Sequence, residues 1–369
     1  MANNSPSDQL AAGRFAAQLL AGAPAASPVD VADRLLAIQG QDPRAARLAI
    51  RARTTGLTVA DVDQALTRDR SLIITWLNRG TLHLVRSEDY WWLHRLTVRP
   101  QLHVGCLRIL ARSGVSEADA DRGVAVVGKA LAAAGPLTRP KLAELISAAG
   151  LPAAAALHVM MLASLRGIAV RGPMIGAQHA YVHVREWLGA PPPEPEPGVA
   201  LAWLARRYLA GHGPASDRDL AKWAGIPLGQ ARRGLAAITA ELRDRSDDLA
   251  ELHGRAPDAG LPPPRLLGAF DPLLLGWASR ESILGDRQEV VTTNGLFRPI
   301  VLVGGVAAGI WAWNGGDVVL DRWAELPEQA ESAVAAEARD VGRYLAAERV
   351  RAGRDPAGPE PLASTRRSP

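Results

Sequence analysis

Apolar positions in this chain fall mostly at the three- and four-residue spacing of short amphipathic helices. A few alternating, β-branched runs interrupt them. Residues 7–20 have helical spacing. Pro28, with Ser27 as its cap, opens a second helix toward Ile38. Thr58-Val59-Ala60-Asp61 followed by Val62, Ala65 and Leu66 reads as a capping box with an apolar stripe. The apolar run 71–77 ends at Arg79-Gly80, and 81–85 alternates as a strand. Helix, helix, helix and strand in that order is the plan of a winged helix-turn-helix unit. The plan recurs. Gly135-Pro136-Leu137-Thr138 leads into a helix, a second helix covers 157–165, and strands at 167–170 and 180–184 flank a turn-rich wing. A third copy has a helix at 203–208, a capped helix from Ser216 to Trp223, the turn Gly225-Ile226-Pro227 and a helix at 230–238. Gly213-Pro214-Ala215-Ser216 nearly copies Gly135-Pro136-Leu137-Thr138 at the same place in its unit, as tandem repeats do.

The proline-rich stretches 189–198 and 253–264 read as linkers. After Pro264 the pattern turns to β. A strand is predicted at 290–293 before Asn294-Gly295, and a hairpin at 299–303 and 306–313 around Gly304-Gly305. Asn314-Gly315-Gly316 turns into 317–320, and 328–351 is a charged closing helix. The predicted fold class is α+β, mainly α with small β wings: three tandem winged helix-turn-helix units and a small C-terminal β module. The expected boundaries are 8–113, 114–190 and 198–255 for the three units, 264–352 for the β-hairpin module with its closing helix, and 353–369 for a disordered tail.

Composition changes this picture only at the margins. The 48% hydrophobic and 22% charged content suits a soluble globular protein. No apolar run reaches bilayer length, and the polar N-terminus lacks a secretory pattern, so a cytoplasmic, nucleoid-associated location is expected. The single cysteine, Cys106, excludes an internal disulfide and a thiolate metal cluster. His179 and His183 share a strand face without an evident third ligand, so no metal is expected. A net charge of +4 is carried almost wholly by arginine, since Lys129, Lys141 and Lys222 are the only lysines. Arginine suits bidentate phosphate contacts, although a compositional drift toward Ala and Gly accounts for the same bias.

The candidate chemistry lies at Gln39-Gly40-Gln41-Asp42-Pro43. Pro43 and Gly40 disfavour helix there. In an extended backbone the period of two sends Gln39 and Gln41 to one side, where two amides can grip a water. The structural alternative is a plain surface loop. Arg44, Arg47, Arg51 and Arg53 follow within ten residues with no acid among them. On a helix, Arg44, Arg47 and Arg51 form one stripe, either the footprint of a phosphate contact or a solvated face paired with acids elsewhere. Leu48 and Ile50 between them can pack inward. Asp42 either caps the arginine helix or helps as base or charge stabiliser, the cap being favoured. Trp91-Trp92 fits core packing better than base stacking. Phe270 and Asp271 form a structural joint, with Asp271 as a further possible face of the site.

The glutamine motif with its arginine helix resembles the start of the winged-helix DNA glycosylases of the AlkZ and YcaQ type. Two further blocks carry the resemblance. Trp76-Leu77-Asn78-Arg79-Gly80-Thr81-Leu82-His83-Leu84-Val85 is similar to that family's first wing. Leu266-Leu267-Gly268-Ala269-Phe270-Asp271-Pro272, continuing to Trp277, together with Asn294-Gly295-Leu296-Phe297-Arg298-Pro299, is similar to its C-terminal block. The match runs over about residues 8–350. The resemblance implies a C-shaped array of winged helices with a basic concave face, and catalytic glutamines at Gln39 and Gln41. It also implies a hairpin entering the minor groove, with 303–306 or 174–180 as the candidates. Arg79 in the wing turn and His83 on the wing strand join Arg44, Arg47, Arg51 and Arg53 as candidate DNA contacts, a structural histidine being the other reading of His83. Gly40 stands where some relatives carry a larger residue. The implied activity is monofunctional hydrolysis of N-glycosidic bonds of N7- or N3-alkylated purines in duplex DNA, by a monomer without a cofactor. Bulky natural-product adducts and interstrand crosslinks are included, and whether the base is flipped is left open. No lysine lies near Gln39 in sequence to form the Schiff base of a strand-nicking enzyme. The rival readings are a non-catalytic winged-helix regulator and a protein that sequesters damage without cutting.

Overall fold

The computed structural model describes residues 6–254, 260–292, 295–314 and 316–352. Asn294, Gly315 and the tail expected at 353–369 lie outside the described residues. Three stretches share one element order: helix, short strand, helix, helix, then two strands or a bridge. The first runs Pro28–Leu35, β1 (Ile38–Gln39), Pro43–Arg51, Val59–Thr67, β2 (Leu72–Leu77) and β3 (Thr81–Arg86). The run 71–77, which periodicity leaves unassigned, is therefore a strand. The second stretch runs Glu117–Ala134, Leu137 bridged to Tyr181, Arg139–Ala148, Ala156–Leu165, β4 (Ala169–Ile175) and β5 (Gln178–His183). The third runs Pro197–His212, Ala215 bridged to Ala250, Asp217–Ala224, Leu228–Ala236 and a Leu242–Leu252 bridge.

Local chemistry sets the boundaries. Ser27 accepts from the Asp30 amide, and Thr58 with Asp61 and Ser216 with Asp219 form capping boxes. The linker expected at 189–198 ends early, because Pro197 occupies the first turn of Pro197–His212. Proline suits that position, since the amide hydrogen it lacks has no partner there anyway.

The first two stretches are fused through a five-stranded sheet of order β1-β3-β2-β4-β5, joined where Ile74 pairs with Arg171. The third docks backbone to backbone on the first: a Cβ built on Gly211 would lie 2.3 Å from the Arg34 carbonyl oxygen. The C-terminal module is a second sheet, β6 (Arg265–Leu267), β7 (Ile300–Val303), β8 (Val306–Asn314) and β9 (Asp317–Arg322), paired in that order. Val334, Val341, Tyr344 and Leu345 of the closing helix Glu328–Ala352 pack with Leu48, Leu266, Val301 and Trp311. Of the strand expected at 290–293, Val290 closes a 3₁₀ turn, Gln288–Val290, Val291 makes a single bridge to Phe297, and Thr293 lies outside the described residues. Two residues of pairing are too few to propagate a ladder. Of the two candidate groove hairpins, the 303–306 turn buries Gly305, where a Cβ would lie 2.9 Å from the Phe15 ring, and leaves Gly304 and Val306 exposed. The 176–178 tip of the β4–β5 wing is exposed.

Candidate active site

The helix Pro28–Leu35 ends at Leu36, a fully buried residue at φ 62, which turns the chain sharply into β1. Gln39 pairs with His83, and His83 in turn faces Thr75 across the sheet. Directly opposed residues of antiparallel strands share a face, so these three side chains lie in one row. The Gly40 amide donates to the Leu82 carbonyl at 2.7 Å and carries the pairing one residue further. A Cβ at Gly40 would meet the Leu84 nitrogen at 3.3 Å, so this residue lies flat on β3. Gln41 then returns to the side of Gln39, and the Gln39 Nε2 donates to Gln41 Oε1 at 3.3 Å. Gln39 is buried and Gln41 exposed. Asp42 is the N-cap of Pro43–Arg51, its Oδ1 accepting from the Arg44 amide at 2.9 Å.

Both glutamines line a cleft of about 580 Å3. Asp42, Arg79 and Thr81 complete the near wall; Lys222, Trp277 and Arg280 come from the third stretch and the C-terminal block, with Phe270, Leu275, Gly295, Leu296 and Phe297. Asp42 is the one acid among the described residues lining it. Arg79 donates to the Trp223 carbonyl at 2.6 Å and the Lys222 carbonyl at 3.2 Å. Desolvation, with the nearby charge of Arg280, holds its pKa below the ordinary value. Lys222 Nζ donates to the Ala278 carbonyl at 2.9 Å. The cleft thus brings three cationic side chains, Arg79, Lys222 and Arg280, together with apolar and aromatic ones. It is the size of pockets that take whole small-molecule ligands.

The arginine stripe is corrected by the structure. Arg47, Arg51 and Arg53 are 3%, 4% and 1% exposed and do not form a surface for phosphate. Arg47 pairs with Asp63 and contacts His179 Nε2 at 3.2 Å. Arg51 pairs with Glu337 and, at 2.9 Å, with Asp340 of the closing helix. All five N–H groups of Arg53 are taken by Asp271, Gln18 and the Ala49 carbonyl, with Asp271 itself fully buried. A buried guanidinium needs such partners, because desolvation without them is costly. Arg44 alone of the four is exposed. Asp271 holds this joint and does not face the cleft.

His83 is corrected as well. It is 3% exposed and hydrogen-bonds the Thr81 carbonyl through Nδ1 at 3.0 Å. Burial, reinforced by the charge of Arg79, lowers its pKa to about 3. It is a neutral structural histidine beneath Gln39, not an exposed DNA contact. Trp91 and Trp92 pack against the main core, as expected of that pair. Lys222, Leu275, Trp277, Arg280, Leu296 and Phe297 are cleft residues that sequence reasoning did not bring to Gln39, and Phe270, read there as part of a structural joint, lines the cleft as well. Phe297 and Trp277 lay in the block that carried the resemblance, but nothing in their spacing sets them opposite residue 39.

Comparison with known proteins decides the family. A model of the AlkZ-like DNA glycosylases matches residues 32–344. The chain belongs to the AlkZ-like DNA glycosylase family. It is a DNA glycosylase, an N-glycosyl hydrolase acting on DNA. The chain is 26% identical over 365 residues to the interstrand DNA cross-link repair glycosylase of Streptomyces sahachiroi, covering 91% of this chain and 95% of that one. The solved structure of the Streptomyces sahachiroi DNA glycosylase AlkZ superposes with a TM-score of 0.74 at 25% identity, covering 92% of this chain and 97% of the other. The mixed α/β architecture of this AlkZ-like protein is that of the solved relative. None of its described helices is long and apolar enough to cross a membrane.

Proposed function

We propose that this AlkZ-like glycosylase hydrolyses the N-glycosidic bond of N7- or N3-alkylated purines in duplex DNA, with Gln39 and Gln41 as the catalytic pair. The observation that carries the proposal is the hydrogen bond between the two amides on the wall of a cation-lined cleft. That bond fixes both side chains and uses one donor of Gln39 and one acceptor of Gln41. The Gln39 carbonyl and the Gln41 NH₂ are left as groups that can orient a water. An N7-alkylated purine already carries positive charge and departs without a strong general acid. The oxocarbenium-like transition state needs a held water and acceptor dipoles beside the sugar, which the pair supplies. Asp42, already the helix cap, adds negative charge at the same wall.

Phosphates flanking the lesion are assigned to Arg79, Lys222 and Arg280 in place of the buried arginines, with exposed Arg44 nearby in sequence. The three repeated element orders are read as tandem winged helix-turn-helix units arranged around the duplex. Interstrand crosslinks enter the substrate range because the Streptomyces sahachiroi relative is named for their repair. Hydrolysis is monofunctional and the working unit a monomer.

The test is release of free base and formation of alkali-labile sites on duplex carrying one N7-methylguanine. Gln39→Ala/Gln41→Ala is expected to lose about 100-fold or more in single-turnover rate, the scale on which preorganised amide dipoles act, while its DNA affinity is retained. Release at the unaltered rate by this variant would refute the assignment.

A further inference from the structure

The glutamines line one part of the cleft; Phe270, Leu296 and Phe297 line another, for which the proposed hydrolysis gives no role. Phe270 and Phe297 meet with ring centroids 5.4 Å apart at an interplanar angle of 51°. The Arg280 guanidinium carbon lies 5.0 Å from the centre of the Phe297 ring. Both rings are half-buried, and Leu296 beside them is 56% exposed at the lip. Apolar area is thus left open to solvent inside a DNA-binding cleft.

Two features show that this wall is built and not incidental. Phe270 sits at φ 56, a left-handed conformation that a bulky residue avoids and keeps only where its surroundings enforce it. The enforcement is visible: Asp271, its neighbour, is fully buried and locked in two bonds to Arg53, at 2.8 and 2.9 Å. Arg280, which backs Phe297, is held in turn through Nε by the Leu274 carbonyl. Leu19, Leu36, Arg70, Asn78 and Asp248 share this conformation, but of these residues Phe270 alone lines the ligand-sized cleft, where a strained, half-exposed ring suits a ligand contact. The cleft volume of about 580 Å3 is several times what a methylated purine base alone fills.

We infer that Phe297 and Phe270 form a stacking subsite for the flat aromatic part of a bulky adduct attached to the purine, which makes this wall specificity-determining. The inference rests on the proposed glycosylase site. Arg280 covers one face of the Phe297 ring and Phe270 is tilted against that ring, so stacking falls to the surface of the two rings that remains half-exposed. The subsite takes a substituent of the arylalkyl class. Small alkyl groups leave it empty, and saturated rings of equal bulk gain area but no face-to-face stacking.

The experiment uses the full chain and three duplexes bearing one N7-methyl-, N7-(cyclohexylmethyl)- or N7-(naphthylmethyl)guanine. The proteins are the unaltered chain, Phe297→Leu and Phe297→Ala, with thermal melting to verify folding. Phe297→Leu keeps the apolar contact and removes the ring. It is expected to lose about ten-fold in half-saturating concentration and rate for the naphthylmethyl adduct, and less than about three-fold for the other two. The same discrimination is expected in binding alone, measured in the Gln39→Ala/Gln41→Ala background, where no base is released. Equal losses on all three duplexes, or none, would overturn the subsite while glutamine-dependent release leaves the active site standing. No release of any base by the unaltered chain would overturn the active-site reading and the subsite with it.

Discussion

Asp271→Asn isolates what the arginine helix is for. The substitution keeps the shape of the side chain and the Oδ1 that accepts from the Leu273 amide at 2.9 Å, but removes the charge opposite Arg53. Both side chains are 0% exposed, so water cannot take the place of the carboxylate. Breaking a buried pair by altering one partner costs about 3–5 kcal/mol, because the remaining charge stays desolvated. An unfolding entropy of about 2.1 cal/mol/K per residue, over 369 residues, converts this to a melting temperature lower by about 4–6 °C. The assay is a thermal melt followed by circular dichroism, run beside a titration with undamaged duplex well below the transition. The melting temperature should fall with duplex affinity unchanged. An unchanged melting temperature would refute the argument. So would an Arg53→Ala protein that melts normally but binds DNA poorly, since that is the behaviour of a phosphate contact.

Gly211→Ala places a methyl carbon 2.3 Å from the Arg34 carbonyl oxygen and should destabilise by about 1–3 kcal/mol or more, read as a lower melting temperature; a neutral effect would contradict the close docking of the two helices. Burial lowers His83 and His179 to about 3 and His94 to about 4, from an ordinary 6.5. The unfolded chain therefore binds protons that the folded one refuses. Stability should be full above about pH 6.5 and fall as the pH drops toward 4, with up to three protons taken up on unfolding; a melting temperature constant between about pH 7.5 and 5 would contradict this. Lys222 lies in the cleft, but its ammonium is hydrogen-bonded to the Ala278 carbonyl. Borohydride should trap no protein–DNA adduct, and Lys222→Ala should weaken duplex binding while leaving the single-turnover rate at saturation within about three-fold. A trapped adduct lost on Lys222→Ala would overturn the monofunctional assignment.

Features governed by near neighbours could be read from the chain; those governed by distant ones could not. Ser27, Thr58, Asp42 and Ser216 announce helix starts because a cap acts within three residues. The common side of Gln39 and Gln41 follows from two-residue periodicity alone. The arginines mislead because their partners lie 16, 218, 286 and 289 residues away, at Asp63, Asp271, Glu337 and Asp340. An arginine stripe without local acids looks the same whether it meets phosphate or buried carboxylates. Lys222, Arg280 and Phe297 reach the cleft through docking of whole elements, for which no local spacing exists. Val290 and Val291 have strand composition, yet a partner ladder was needed to make them one.

The cleft draws its walls from residues 39–42 and 79–81, from Lys222, and from 270–297. These four stretches meet only when elements from both halves of the chain have docked. On the proposed assignment, a piece of the protein that ends before residue 270 lacks one side of the active site. A nascent chain would then hold no complete cleft until its last third has been made, and turnover would report the docking of elements from both ends of the polypeptide.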